Sequence, residues 1–287
     1  MKVIRSPKAM MAWSHGLRRE GVTIGLVPTM GALHDGHRAL IRTARLRCDA
    51  LVVSIFVNPT QFGPTEDLAK YPRTRSRDLA LCRAEGVDVC FEPTARAMYP
   101  EGFQTAVSLS AIARRWEGEA RPHHFSGVAT VVAKLFGIVR PHVALFGAKD
   151  IQQCGLVRQL VEDLNLGVEI VVCPTVRERD GLAMSSRNVH LSPTERIAAT
   201  ALYKSLRAGA AAIRKGVTDA AAVQAAMAEV VRREAVLATD YLAVCDPRTL
   251  EPIACVRSRA VLLGAVRLGP VRLIDNLTVT APRTRTA

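Results

Sequence analysis

The sequence predicts an α/β fold with a parallel sheet, followed by a smaller α+β domain. Three observations lead to this prediction. Short continuous apolar runs alternate with segments of helical periodicity up to Cys173, as in a parallel sheet covered on both faces. A polar, glycine-containing stretch follows at residues 175–187, and Ala-rich helices and further strands come after it. We therefore expect two domains, residues 1–174 and residues 175–287.

The first domain is predicted from five apolar strands and the helices between them. The predicted strands are Val22–Val27, Leu51–Val57, Val87–Phe91, Val143–Phe146 and Val168–Cys173. The predicted helices are the segment after His37 with apolar residues Leu40, Ile41, Ala44 and Cys48, then Arg77–Glu85, Val128–Val139 and Ile151–Asp163.

The second domain is predicted from two helices and three strands. Ser192-Pro193-Thr194-Glu195 has the residue types of a helix start. The predicted helices are Thr194–Lys215 and Asp219–Leu237, and the predicted strands are Tyr241–Cys245, Ala260–Val266 and Val271–Asn276.

The charge of the chain raises the question of a nucleic-acid partner. With 39 Lys+Arg against 26 Asp+Glu, the 287 residues carry a formal net charge of +13. The excess is divided almost equally, +6 over residues 1–174 and +7 over residues 175–287, without a basic run. Clustered charge is what a polyanion requires, and 5% aromatic residues offer little base stacking. We therefore expect no nucleic-acid partner, although a basic pocket for a small anion stays compatible.

Composition also limits the compartment and the class of protein. Hydrophobic residues make up 49% of the chain, too many for a disordered protein. An odd number of dispersed cysteines without zinc spacing predicts buried, reduced thiols, namely Cys48, Cys82, Cys90, Cys154, Cys173, Cys245 and Cys255. No apolar stretch approaches the length of a membrane span, and the first residues lack a secretory core. We expect a cytoplasmic protein without a membrane partner.

The first chemical motif is the decapeptide Pro28–His37, PTMGALHDGH, between the first predicted strand and its helix. In a parallel α/β sheet this position offers the free N–H groups and positive dipole end of a helix to an anion. His34 and His37 lie three residues apart on one side of the expected first turn. They are suited to donate to phosphate oxygens, whereas zinc binding would need a third ligand that the sequence does not supply.

The second motif is Met184-Ser185-Ser186-Arg187, preceded by the polar residues 177–181. A glycine-containing loop with two hydroxyls and an arginine is suited to close over a triphosphate. Alone the motif is common. Together with the histidine turn it resembles the nucleotidylyl-transferase superfamily, which implies a Rossmann-like sheet.

Two further motifs follow predicted strands. Asn58-Pro59-Thr60-Gln61 places the Gln61 amide after the second strand, and Phe146–Gln153 (FGAKDIQQ) opens a helix after a later one. Lys149 is suited to phosphates and Asp150 to ribose hydroxyls, while Gln61 and Gln153 are suited to a small hydroxy acid. Each motif alone is equally compatible with a turn or a helix cap.

Together these motifs resemble the pantothenate synthetase (pantoate–β-alanine ligase) family, in order and over essentially the whole chain. The matching segments are Pro28–His37, Asn58–Phe62, Tyr71–Thr74 (YPRT), Arg121–Val132 (RPHHFSGVATVV), Phe146–Gln153, Asp180–Asn188 (DGLAMSSRN) and Leu273–Asn276. The resemblance implies a ligase of the coenzyme A pathway that condenses (R)-pantoate with β-alanine. ATP is consumed through a pantoyl adenylate, and AMP and pyrophosphate are released.

The resemblance also implies roles for individual residues. His37, His34, Lys149 and Arg187 would be catalytic, and Gln61 and Gln153 would hold pantoate. The ATP site would comprise Met30, Gly31, Ala32, Leu33, His34, Asp35, Gly36, His37, Gly147, Ala148, Lys149, Asp150, Val176, Met184, Ser185, Ser186 and Arg187. Mg²⁺ would arrive on the phosphates, with no protein ligand assigned and Asp78 as a candidate for a water-mediated contact. A homodimer is also implied.

Three positions depart from the family pattern, namely His123, Ala148 and His190. None of them removes a residue assigned to pantoate, and only Ala148 lies within the expected nucleotide site. Another nucleotidylyl transferase of the same fold, such as one acting on phosphopantetheine, is the alternative enzyme. It would not need the pair Gln61 and Gln153.

Overall fold

The computed structural model describes residues 1–64 and 66–282. The chain divides into two compact units. The first unit comprises Met1–Ala148 and Gln152–Pro174. The second comprises Lys149–Ile151 together with the described residues from Thr175 onward.

The first unit is built on a six-stranded parallel sheet. Its strands are β1 (Lys2–Ile4), β2 (Ile24–Thr29), β3 (Ala50–Ile55), β4 (Val89–Phe91), β5 (Val143–Gly147) and β6 (Glu169–Cys173). Their order across the sheet is β1-β4-β3-β2-β5-β6, and all recorded pairs are parallel. The direction of winding reverses between β2 and β5, which is where open α/β sheets bind ligands at the strand carboxyl ends.

Helices connect these strands. They are α1 (Pro7–Arg19), α2 (Asp35–Arg45), α3 (Arg75–Ala84), α4 (Ala95–Met98), α5 (Glu117–Ala120), α6 (His124–Val139) and α7 (Ile151–Asp163). Helix α6 is apolar on nearly all sides because it lies in the core beside Phe56 and Phe91. A second apolar cluster, with Ile41 and Val53, packs α2 onto the sheet. The expected α/β fold with a Rossmann-like sheet is confirmed.

The second unit contains a three-stranded antiparallel sheet and three helices. The strands, in spatial order, are β7 (Ala238–Cys245), β8 (Arg259–Leu268) and β9 (Val271–Thr280). The helices are α8 (Pro193–Ala198), α9 (Thr200–Arg214) and α10 (Ala220–Arg232). They cover the sheet through a separate core that includes Leu202, Leu206 and Leu262. The expected smaller α+β domain is thus confirmed.

Several element boundaries differ from the sequence-based expectation. The first predicted strand, Val22–Val27, is β2 at Ile24–Thr29 and continues through Pro28. Proline is tolerated there because the pairing of β2 with β5 is limited to Gly25 and Leu26, so no ladder bond is lost on that side.

The single helix expected over Thr194–Lys215 is two helices, α8 and α9. Ser192 is the N-cap of α8 and forms a capping box with Glu195. The Ser192 hydroxyl accepts from the N–H of Glu195, and the Glu195 carboxylate accepts from the N–H of Ser192. The helix breaks at Ala199, whose carbonyl accepts from Leu202 in a tighter three-residue turn. The elements β1, α1, α4 and α5 were not predicted at all.

The cysteines agree with the expected free thiols, with one exception in burial. Cys82, Cys90, Cys154, Cys173 and Cys245 are buried and Cys48 is half-buried, but Cys255 is exposed. That residue lies in the connection before β8, whereas the five buried cysteines lie on strands or helices. Within residues 1–64 and 66–282, no helix is both long and apolar enough to cross a membrane.

Candidate active site

The loop between β2 and α2 is held in an unusual conformation. Gly31 and Ala32 both have positive φ, at 85° and 50°. The Thr29 hydroxyl donates to the carbonyl of Ser54 on β3 and accepts from the N–H of Gly31 at 3.2 Å. The buried carboxylate of Asp78 accepts from the N–H groups that follow. The loop is therefore fixed from both flanking elements.

His34 and His37 form a capping box at the start of α2. His34 is the N-cap, and its Nδ1 accepts from the N–H of Gly36 at 3.1 Å. The Nδ1 atom of His37 accepts from the N–H of His34 at 3.3 Å. The two ring centroids lie 4.2 Å apart. Because both Nδ1 atoms are acceptors, each neutral ring carries its proton on Nε2, which makes Nε2 a donor.

The short helix Pro59–Gln61 after β3 presents the Gln61 side chain beside the same loop. The Oε1 atom of Gln61 accepts from Nδ2 of Asn58 at 3.1 Å, and its Nε2 lies 2.9 Å from Sδ of Met30. Asn58 is itself fixed by Tyr99, whose hydroxyl donates to its Oδ1 at 2.8 Å. These contacts fix the orientation of the Gln61 amide and bring together Met30 and Gln61.

The backbone of Gln61 is held by two cationic or titratable side chains. Its carbonyl accepts from Nη2 of Arg121 at 3.2 Å and from Nδ1 of His124 at 3.0 Å. Because a carbonyl can only accept, Nδ1 of His124 carries the proton. Burial, followed by the charge of Arg121, lowers the pKa of His124 to about 4. His124 is therefore neutral at physiological pH.

The Arg121 guanidinium is paired with Glu66, with its Nε 2.9 Å from Oε1. Burial raises the pKa of the Glu66 carboxyl, but the hydrogen bond and charge of Arg121 outweigh it and leave that pKa below its usual value. The ion pair fixes the Arg121 side chain that holds the Gln61 carbonyl.

Gly127 allows the Gln61 segment to lie directly against α6. A Cβ atom at Gly127 would be 2.6 Å from Cα of Gln61 and closer still to the carbonyl of Thr60. The Gly127 carbonyl also accepts from Nδ2 of Asn58 at 3.1 Å. Only glycine fits at this crossing.

Gly147 ends β5, and a short helix, Ala148–Asp150, leads into α7, in whose first turn the half-buried Gln153 lies. The neighbouring Gln152 is buried and points away to another segment. Its Nε2 donates to the carbonyls of Ile112 and Arg115 at 2.7 and 2.8 Å. Gln152 therefore has a structural role next to Gln153.

In the second unit, strand β9 holds Lys149 and the loop after β6. Nδ2 of Asn276 donates to the carbonyl of Lys149 at 2.9 Å. Asp275 pairs with Arg177 through two hydrogen bonds of 2.6 and 2.9 Å, and Arg177 also lies over the Tyr203 ring, 3.9 Å from its centroid. Burial raises the pKa of Asp275, and the pairing with Arg177 opposes that effect only in part.

The serine-arginine motif forms its own small turn in this unit. Ser185 is the N-cap of a short helix, Ser186–His190, and its hydroxyl accepts from the N–H of Arg187 at 3.3 Å. The N–H of Met184 donates to the carbonyl of Val176 at 3.0 Å. Val176, Met184, Ser185, Ser186 and Arg187 are all half-buried, and the first two are brought together.

Asp78, the candidate for a water-mediated Mg²⁺ contact, accepts hydrogen bonds from protein groups at both carboxylate oxygens. Its proposed contact with Mg²⁺ stays a prediction. No group of three potential metal-ligating side chains occurs in the described part of the chain. Sequence reasoning assigned no role to Asn58, Arg121, His124 or Gly127, although all four lie within motifs that carried the resemblance.

Comparison with known proteins gives full-length matches. A family model described as pantoate-beta-alanine ligase matches residues 2–278. The pantothenate synthetase of Heliobacterium modesticaldum is 50% identical over 279 residues, covering 97% of this chain and 99% of the relative.

Solved structures agree with the sequence matches. The crystal structure of pantothenate synthetase from Thermus thermophilus is similar with a TM-score of 0.92 and 46% identity, covering 96% of this chain and 99% of that one. The pantoate-beta-alanine ligase of Francisella tularensis, complexed with beta-gamma ATP and beta-alanine, has a TM-score of 0.80 and 34% identity, covering 96% and 97%.

Proposed function

The chain belongs to the pantoate–β-alanine ligase family, and we propose that its chemistry depends on the His34–His37 pair at the start of α2. The protein is an enzyme that condenses pantoate with β-alanine at the expense of ATP. The His34–His37 pair is the single observation that carries the proposed active site. It presents Nε2 donors at a helix N-terminus, beside the reversal in strand order.

The proposed route is a pantoyl adenylate. A free carboxylate is a poor acyl donor, so attack of the pantoate carboxylate on the α-phosphorus of ATP first releases pyrophosphate. The amine of β-alanine, in its uncharged form, then attacks the acyl carbon. AMP leaves with one carboxylate oxygen, and the proton lost from nitrogen passes to solvent. Carboxylate attack needs no general base, so the enzyme contributes positioning and stabilisation of phosphoryl charge.

His37 and His34 are proposed to donate from Nε2 to the oxygens of the transferring phosphoryl group. Three features support this role. Both Nδ1 atoms are occupied as acceptors, both rings are half-buried, and the α2 dipole favours negative charge at this end.

Gln61 and Gln153 are proposed to bind pantoate. The fixed amide of Gln61 supports this assignment, since Asn58 and Met30 hold it in one orientation. A neutral amide can bind the hydroxyl groups and the carboxylate of pantoate without quenching the nucleophile by an ion pair.

Lys149 and Arg187 are proposed to contact the ATP phosphates, and Asp150 the ribose. The remaining proposed ATP contacts are Met30, Gly31, Ala32, Leu33, Asp35, Gly36, Gly147, Ala148, Val176, Met184, Ser185 and Ser186. The fixed backbone of Lys149 and the capped turn of Ser185 support these assignments within the second unit.

Mg²⁺ is proposed to bind through the substrate phosphates. Magnesium keeps several of its waters and usually takes few protein ligands, which fits a chain whose buried Asp78 is already engaged. When bound it would neutralise phosphate charge. EDTA is expected to abolish AMP release, and excess Mg²⁺ to restore it.

A cytoplasmic location and a homodimer are further proposals. Seven free cysteines favour a reducing compartment, because disulfides persist mainly in oxidising ones. The dimer rests on the family resemblance and is tested by sedimentation of the purified chain.

The function is tested by incubating purified protein with ATP, Mg²⁺, pantoate and β-alanine. We expect AMP and pantothenate in equal amounts. Omission of β-alanine should leave a tightly bound acyl adenylate. Turnover with phosphopantetheine but none with pantoate would favour the alternative nucleotidylyl transferase.

A further inference from the structure

Asp78, near the start of α3, is a buried carboxylate committed to the loop after β2. Its side chain belongs to a residue only 1% exposed. Oδ2 accepts from the N–H of Ala32 at 2.9 Å, and Oδ1 accepts from the N–H of Leu33 at 2.8 Å. The Thr74 hydroxyl donates to Oδ1 at 3.0 Å. Three donors therefore converge on one carboxylate.

The segment that Asp78 binds has a conformation that residues with side chains rarely adopt. Ala32 has a φ of 50°, directly after Gly31 at 85°. Such backbone persists only where the surroundings over-determine it. A Cβ atom at Gly31 would lie 3.2 Å from Oδ2 of Asp78 and 3.1 Å from Cγ2 of Ile55, so the turn also packs closely against its anchor.

The anchored peptide groups lead directly into the histidine pair. Leu33 precedes His34, whose own N–H donates to His37. Rotation of the Ala32–Leu33 peptides would move the N-cap of α2 and, with it, both imidazole rings. The Asp78 carboxylate thus holds the N–H groups one and two residues before His34, the first of the two histidines assigned to the phosphoryl oxygens.

We propose that Asp78 is a positioning residue for adenylyl transfer, which holds the Gly31–Leu33 turn so that His34 and His37 face the nucleotide. This inference rests on the proposed roles of the two histidines. Asp78 is not proposed to contact either reactant. A carboxylate is required here because, unlike an amide, it offers two acceptor oxygens to two successive N–H groups.

Asp78→Asn is the most direct test. The amide keeps one acceptor and turns an NH₂ group toward one backbone N–H, so one hydrogen bond is replaced by repulsion. The matched control is Asp49→Asn. Asp49 also accepts a backbone N–H, that of Thr23 at 2.9 Å, but at the opposite end of β2.

Two measurements are made on each folded variant, amide hydrogen exchange and steady-state kinetics. In Asp78→Asn we expect faster exchange at Ala32 and Leu33. The kcat for AMP release should fall about 10- to 100-fold, because small misplacements of reacting groups have effects of this size. The KM for β-alanine should stay unchanged. Asp49→Asn should match the wild type in kcat and in exchange at those two amides.

A merely structural role would lower the melting temperature and leave the kcat of the folded protein unchanged, and that result would overturn the proposal. Unchanged exchange at Ala32 and Leu33 would overturn it as well. Wild-type protein that released no AMP would instead contradict the proposed function, and the exchange result would still report on the anchor.

If Asp78→Asn does not fold, Thr74→Val provides the second variant. It keeps the carboxylate and removes only the hydroxyl that orients it. A smaller fall in kcat with the same pattern in KM supports the proposal. Wild-type kcat together with faster exchange at Leu33 contradicts it.

Discussion

The N–H of His34 donates to Nδ1 of His37 across 3.3 Å, while Nδ1 of His34 accepts from Gly36. The two histidines therefore complete the backbone hydrogen bonding of a helix start, which serine and glutamate usually do. One ring nitrogen of each residue is structural, and the opposite nitrogen is left to carry the proton. The same side chains thus determine both the helix geometry and the direction of their donors.

Substitution of His37 separates these two roles. An Asn amide can replace Nδ1, and a Gln amide can reach the position of Nε2. We expect His37→Asn to keep the melting temperature but to lose about 100-fold in kcat, since a charge-stabilising donor is removed. His37→Gln should retain more activity and be less stable. Calorimetry and AMP release measure the two effects, and equal kcat values for Asn and wild type would contradict the donor role.

The buried His124 predicts a pH dependence of stability. Its pKa is about 4 in the folded protein and usually 6.5, so the unfolded chain binds more protons between these values. The free energy of unfolding should therefore fall by about 3 kcal/mol as the pH drops from 6.5 to 4. Arg121, Glu66 and Glu117 are the charged groups that act on this ring.

The control for this effect is His124→Asn, in which the amide donates to the Gln61 carbonyl without titrating. Urea unfolding of both proteins across this pH range isolates the contribution of His124 to the free energy of unfolding, because the other groups titrate in both. Parallel pH curves for the variant and the wild type would show that His124 is not buried as a neutral ring.

Gly127→Ala should displace the Gln61 segment. The new Cβ atom would meet the backbone of Thr60 and Gln61, and overpacking of this kind costs about 1–3 kcal/mol. We expect a raised KM for pantoate and an unchanged KM for ATP. Gly137→Ala is the matched control on the same helix, since nothing lies within 4 Å of its Cβ position.

At Gly137, an exposed position of α6, alanine should stabilise the helix by about 0.5–1 kcal/mol and leave both KM values unchanged. If the two variants behaved alike, the close approach at Gly127 would have no bearing on pantoate binding.

Arg187→Ala tests the loop of the second unit. Loss of a phosphate-binding cation should lower kcat by about 100-fold and raise the KM for ATP. Arg179→Ala, at an exposed position of the same loop, should be close to wild type. Isothermal titration with a non-hydrolysable ATP analogue measures the binding component. Equal ATP affinity and kcat in both variants would remove Arg187 from the site.

Much of the fold could be predicted because apolar runs mark buried strands. The run Val143–Phe146 differs from β5 by one residue. Local sequence patterns did not predict element boundaries that depend on tertiary pairing. Proline at position 28 suggested a strand end, yet the strand continues because its pairing with β5 on that side stops at Leu26. The break between α8 and α9 at Ala199 has no local signal, since alanine favours a continuous helix.

For the candidate site, the motifs after strands led to the proposed residues His37 and Gln61, whose roles stay predictions. The residues that support them could not be predicted, because Asp78 lies 46 residues from Ala32, and Arg121 lies 60 residues from Gln61. Such contacts depend on how the sheet brings distant segments together, which no local spacing specifies.

The transfer of a carboxylate oxygen from pantoate to AMP is the most direct test of the pantoyl adenylate. Pantoate labelled with ¹⁸O in its carboxylate is incubated with the enzyme, ATP, Mg²⁺ and β-alanine, and the products are analysed by mass spectrometry. A pantoyl-adenylate route places one ¹⁸O in each AMP formed and none in pyrophosphate. Formation of ADP with labelled inorganic phosphate, or unlabelled AMP, would contradict a pantoyl adenylate.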